Sequence, residues 1–86
     1  MEIVLISPIH LGEKVWLKEY DPEFNQQSVV TSKELKAVFA RLAEEYDCKF
    51  LAASDVAEAS ETDQEHMDEK SHELLAGAIY EKLIQI

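Results

Sequence analysis

The chain has one cysteine, Cys48, so no disulfide can form within it and a cystine-stapled scaffold is excluded. Two glycines and two prolines in 86 residues exclude collagen-like and low-complexity architectures and leave most of the chain free to form regular structure. Basic residues are scarce: eight Lys and Arg face eighteen Asp and Glu, a formal charge of -10. Such a surface repels nucleic acid phosphates and anionic lipid headgroups, so neither nucleic acid nor membrane is an expected partner. A solvated acidic exterior that keeps an intracellular protein dispersed accounts for the charge. Long hydrophobic runs are absent too. The longest strongly apolar stretch, Ile3 to Ile6, falls far short of the roughly 20 residues of a membrane helix. At the N-terminus Glu2 stands where a signal peptide carries basic residues, and no small-residue cleavage site follows. The expected location is cytoplasmic.

What is present is a folded segment. The apolar share of 47% exceeds that of disordered chains, and the length suits one small domain or part of a larger one. Ile3-Val4-Leu5-Ile6 reads as a strand buried on both faces and ended by Ser7-Pro8. From Ile9 to Val30 polarity is mixed and the turn signals are Gly12, Asp21-Pro22 and Asn25-Gln26-Gln27-Ser28, which predicts a long loop. Its Trp16, Leu17, Tyr20 and Phe24 either wall a cleft or pin the loop to the body, with pinning the simpler reading. Thr31 and Glu34 have the form of a capping box, and Leu35, Val38, Phe39, Leu42 and Tyr46 continue at helical spacing. The pattern predicts a helix from about Ser32 to Tyr46. After Asp47-Cys48, the run Phe50-Leu51-Ala52-Ala53 reads as a second strand, with Cys48 a small packed thiol beside it. Asp55 to Met67 reads as a loop with at most a helical turn. Asp68 is then an N-cap, and Leu74, Leu75, Ala78, Ile79, Leu83 and Ile84 line one face of a helix ending near Ile86. Gly77 within it suits close packing on a sheet.

The order β-loop-α-β-loop-α implies two parallel strands joined by a right-handed crossover. A sheet of two parallel strands leaves both edges unpaired, and strands this apolar would expose surface. More sheet is therefore expected, from a missing N-terminal segment, from another chain, or from a homo-oligomer formed through the exposed strand edges. Ligands of open α/β sheets sit beyond the carboxyl ends of the strands. Ser7-Pro8-Ile9-His10 and the loop after the second strand should share that rim.

That second loop carries Asp63 and His66, three residues apart. A neutral imidazole can take a proton from a serine hydroxyl and return it to a leaving group, because its ordinary pKa is near 6.5. A carboxylate on the other ring nitrogen fixes its tautomer and stabilises the imidazolium. Asp-x-x-His ahead of a terminal amphipathic helix, Thr62-Asp63-Gln64-Glu65-His66-Met67-Asp68, resembles the corresponding block of the SGNH (GDSL) serine hydrolases. The similarity continues upstream, through the proline-ended strand Val4-Leu5-Ile6-Ser7-Pro8, the serine-rich helix start Ser28 to Leu35, and the short strand Phe50-Leu51-Ala52-Ala53.

It spans almost the whole chain and corresponds to the C-terminal part of that family's single domain. The resemblance implies a three-layer αβα, flavodoxin-like fold, of which residues 1 to 86 are the C-terminal portion. It also implies hydrolysis of carboxylic esters without a cofactor, with Asp63 and His66 as acid and base and a small ester as substrate once the rest of the domain is joined. The family's Gly-Asp-Ser nucleophile segment does not occur in these residues. Its nucleophile and oxyanion donors belong to segments N-terminal to those matched here, so the chain alone should be inactive. The alternative is an inactive family member that serves as an oligomerising or binding module.

The remaining candidates are secondary. The resemblance places a histidine like His72 near the start of the last helix, where it reads as a capping or packing residue. His10 reads equally as a loop or a cleft residue. Asp63, His66, Asp68 and His72 could instead ligate zinc or manganese, but their spacing matches no metal motif. Ser7 lies at a strand end, but with Pro8 following it does not fit a nucleophile motif.

Overall fold

In the computed structural model, which describes residues 2–85, two strands and two helices follow one another as β1 (Val4–Ser7), α1 (Gln26–Glu45), β2 (Lys49–Ala52) and α2 (Glu69–Leu83). A single 3-10 turn, Ala53–Asp55, leaves the end of β2. The strands are parallel, with Val4 beside Lys49, Leu5 beside Phe50, Ile6 beside Leu51 and Ser7 beside Ala52. The expected β-α-β crossover is therefore present. Each strand is one residue out from its sequence reading, an offset typical of element ends. Val4, Leu5 and Ile6 are only half-buried, so β1 is not covered on both faces as expected.

Helix α1 begins well before the anticipated Ser32. Its N-cap is Asn25, whose side chain accepts the backbone N–H of Ser28 at 3.0 Å while Ser28 Oγ accepts that of Asn25 at 3.1 Å. Asn25 to Ser28 is thus a reciprocal capping box rather than a loop turn, and Thr31 lies exposed inside the helix. The outer box wins because nothing between Gln26 and Thr31 breaks a helix, and the extension buries Val29 and Ser32. Ser32 Oγ accepts the N–H of Leu11 at 3.0 Å and donates to Val29 O at 2.7 Å, which ties the loop after β1 to the helix.

At its other end α1 closes with a Schellman motif. Asp47 takes the left-handed conformation (φ 54), Cys48 N–H reaches Ala43 O at 2.8 Å and Asp47 N–H reaches Glu44 O at 3.3 Å. An aspartate fills the position that glycine usually occupies, as its short polar side chain permits. The chain then enters β2, with Cys48 partly exposed.

Asp68 caps α2 as expected, its Oδ1 accepting Ser71 N–H at 2.8 Å. The regular helix ends at Leu83; the anticipated end near Ile86 lies outside the described residues. Gly77 meets nothing within 4 Å, so it does not serve close packing here. Helix α1 packs on both strands, whereas α2 meets mainly β2.

Buried apolar residues are few and small: Val15, Val29, Ala43, Ala52, Ala53 and Ala57. The radius of gyration is 14.1 Å, where a closed domain of this length has about 12 Å. Accessible surface is 6189 Å², against about 5,200 Å² for a closed monomer of this mass. No helix among the described residues is long and apolar enough to cross a membrane.

Candidate active site

The two segments leaving the carboxyl ends of β1 and β2 meet, as the topology requires. Residues 8–25 form a chain of turns in which Val15 N–H bonds Gly12 O at 3.1 Å and Asp21 N–H bonds Val15 O at 2.9 Å. Val15 is fully buried, while Trp16, Leu17, Tyr20 and Phe24 are half-buried. None of those four lines the hollow that holds His66, whereas Tyr20, Phe24 and Trp16 each border another hollow.

The segment after β2 is a closed loop. Ala59 and Met67 form an antiparallel bridge, Ser60 N–H donates to His66 O at 2.8 Å, and Glu58 N–H donates to Ser71 Oγ at 3.2 Å. Its base is therefore anchored on the first turn of α2. Within it Asp63 and His66 come together: Asp63 Oδ2 lies 2.7 Å from His66 Nδ1. Asp63 Oδ1 faces the other way and accepts the backbone N–H of Glu65 at 2.9 Å, that of His66 at 3.0 Å and the Ser60 hydroxyl at 3.2 Å.

Those contacts set the electrostatics. The backbone N–H groups of Glu65 and His66, with the imidazole as a further partner, hold the Asp63 carboxyl far below the ordinary carboxylate range. The hydrogen bond and charge of Asp63 in turn raise the His66 imidazole above its ordinary value. Partial desolvation and the nearby Asp21 carboxylate push Glu65 upward. An imidazole bonded through Nδ1 to a permanently ionised carboxylate keeps Nε2 as its free acid-base position. Nε2 makes no hydrogen bond among the described residues, and the His66 side chain is 81% exposed.

His66 also borders a mostly apolar hollow of about 530 Å³, with Ile6, Pro8, Ile9, Phe39 and Leu75 on its walls. His72 stands exposed at its margin. The cap of α2 is Asp68, so the capping role considered for His72 is not seen. Ser7 is fully buried, with a hydroxyl that has no partner among the described residues. His10 lines a separate polar cavity of about 550 Å³ with Tyr20, Lys33 and Gln64. The metal set does not assemble: Asp63 is turned to His66 and Asp68 to Ser71, and the described residues contain no cluster of three metal-ligating groups.

Two contributors had no clear signal in the sequence. Ser60, which steadies Asp63, is an ordinary loop serine by composition. Gln64, buried at φ 65 between Asp63 and His66, is not a residue expected in that conformation.

No family model and no curated protein matches the chain. Two solved structures share its backbone. One is 33% identical and covers 98% of the chain with a TM-score of 0.90. The other, a carbohydrate acetylesterase from Sinorhizobium meliloti, is 24% identical and covers 98% with a TM-score of 0.80. The chain spans 38% of the length of each. It is a small α/β unit of two parallel strands and two helices, and the same fold occurs within a larger esterase.

Proposed function

We propose that Asp63 and His66 are the acid and base of a serine ester hydrolase of the SGNH type, and that this chain is the C-terminal part of its three-layer αβα domain. The observation that carries the reading is the 2.7 Å bond between Asp63 Oδ2 and His66 Nδ1, which leaves Nε2 free at the rim of a parallel sheet. The esterase whose fold the chain shares adds support, and suggests short acyl esters such as acetylated sugars as the substrate class. The nucleophilic serine and oxyanion donors would come from sequence outside these 86 residues.

In that arrangement Nε2 takes the proton of the serine hydroxyl as its oxygen attacks the ester carbonyl. The imidazolium, held by Asp63, then gives the proton to the departing alcohol oxygen. Water repeats the sequence to release the acid. Because His66 must be neutral to accept the proton and Asp63 raises its pKa, the rate should climb with pH through a midpoint above 6.5.

The test is hydrolysis of 4-nitrophenyl acetate, with fluorophosphonate labelling, by this chain together with whatever sequence its gene encodes ahead of it. His66→Ala should lower kcat by roughly 10² to 10⁴-fold. Hydrolysis indifferent to His66→Ala would overturn the assignment.

A second reading has its own observation. Both edges of the two-stranded sheet are open and the exposed surface is large for the mass, as suits a non-catalytic module that self-associates by strand pairing. It predicts no probe labelling and a dimer or larger assembly by analytical ultracentrifugation.

A further inference from the structure

The two residues between Asp63 and His66 must reverse the chain, so that both side chains meet while Asp63 Oδ1 receives the N–H groups of Glu65 and His66. Gln64 makes that reversal at φ 65. Glutamine has neither the freedom of glycine there nor the local side-chain bond that helps asparagine, so the conformation must be imposed by surrounding contacts. We propose that Gln64, clasped against Gly12 of the loop after β1, is a positioning residue that sets the Asp63–His66 hydrogen bond. The proposal rests on reading those two residues as an acid-base pair.

Between Ala59 and Met67, the bridged part of its loop, Gln64 is buried and the other residues are half-buried or exposed. All four of its polar groups are engaged. Its backbone N–H donates to Ser60 O at 2.8 Å and its carbonyl accepts Gly12 N–H at 2.7 Å. Its Oε1 accepts Lys14 N–H at 3.2 Å, and Nε2 donates to Glu61 O at 3.3 Å. Two of these bonds, one from the backbone carbonyl and one from the side chain, cross to the 8–25 loop and two close its own loop, so a single residue fixes the register of one against the other.

Gly12 is required by the closeness of that approach. A Cβ on it would lie 2.1 Å from Gln64 Oε1, 2.6 Å from Cδ and 2.8 Å from Cβ. Its backbone φ is not in the left-handed region, so space alone restricts the position. Ser60 steadies the Asp63 carboxylate from its other side, but it makes no hydrogen bond to the 8–25 loop among the described residues. The clasp is what relates the pair to the rim, and through it to anything bound there.

The measurement is the titration of the His66 ring protons by NMR in the full chain, for the parent and for Gln64→Ala, Gln64→Gly and Gly12→Ala, with circular dichroism to follow the fold. In the parent the midpoint should stand above the free imidazole value of about 6.5. Each variant should lower it toward that value. The Gln64→Ala, Gly12→Ala double variant should lower it no further than the larger single effect, because both act on one contact. Gln64→Gly relieves the backbone conformation while removing the side-chain bonds, so it tests the clasp even where Gln64→Ala fails to fold. A Gln64→Gly or Gly12→Ala protein that is folded and keeps the parent midpoint would overturn the proposal. A parent midpoint that Asp63→Asn does not lower overturns the acid-base pair itself, and the clasp with it.

Discussion

At the carboxyl ends of the strands Val15 and Ser7 are wholly buried and Ser32, Gln64 and Ser71 are interior, whereas along the helices Leu42, Tyr46, Leu74 and Tyr80 stand more than a third exposed. The sizes are inverted from those of an ordinary domain, in which large apolar side chains fill the centre and small polar ones lie outside. At the rim Ser32, Gln64 and Ser71 each hold a backbone group of another segment: Leu11 N–H on Ser32, Lys14 N–H on Gln64 and Glu58 N–H on Ser71. The rim segments are thus joined to one another by their own hydrogen bonds, although Ser7 Oγ, His10 Nε2 and Ser54 Oγ have no partner among the described residues, and the flanks lie open. Val38, Leu42 and Tyr46 recur one turn apart on α1 and share an exposed face. The difference teaches that the loops carrying the candidate site are the more closely joined part of this unit, while its sheet edges and helix faces are open.

The comparison would break most visibly at Val15. It is the largest side chain of the rim that is fully buried, and Val15→Ala removes two methyl groups from a packed position. It should cost about 2 kcal/mol, read from the urea unfolding midpoint at constant m-value. A cost below about 0.5 kcal/mol would mean that the rim is as loosely packed as the flanks.

The topology was legible in the sequence because uninterrupted apolar runs and a helical period each carry their own signature. The Asp63–His66 contact was legible for a different reason: their spacing lets a carboxylate and an imidazole meet within one turn, with no need for distant parts of the fold. Gln64 and Gly12 were not. Their partnership joins residues far apart in sequence, and a buried glutamine at positive φ contradicts local preference rather than following it. The start of α1 was misplaced because two capping signals compete, Asn25 with Ser28 and Thr31 with Glu34. The longer helix prevails because no residue from Gln26 to Thr31 breaks it and it buries Val29.

That choice gives the next prediction, intermediate in size. Asn25→Ala removes the side chain that accepts the Ser28 N–H and should cost about 1 kcal/mol. The lost stability should come with fraying of the first turn of α1, seen as faster hydrogen exchange for the amides of 28–30. A helix that simply restarts at Thr31 would lose those protections without the stability cost, and would sharpen the contrast by showing that only the stretch packed on the rim is held firmly.

The smallest effect is expected on the flank. Leu42 is 39% exposed on the face it shares with Val38 and Tyr46, so Leu42→Gln should change the stability of the 86-residue chain by no more than about 0.5 kcal/mol in either direction. The same substitution should matter once the flank is covered, because a buried amide without a partner carries a desolvation penalty of about 1 to 3 kcal/mol. Measured in the chain alone and again in the longer protein or the homo-oligomer proposed above, Leu42→Gln therefore reports whether that face belongs to an interface. A large cost in the isolated chain would mean that α1 already has a full core beneath it, and the contrast between a closely joined rim and an open flank would fail. Equal, small costs in both states would mean that this helix face belongs to no interface in either.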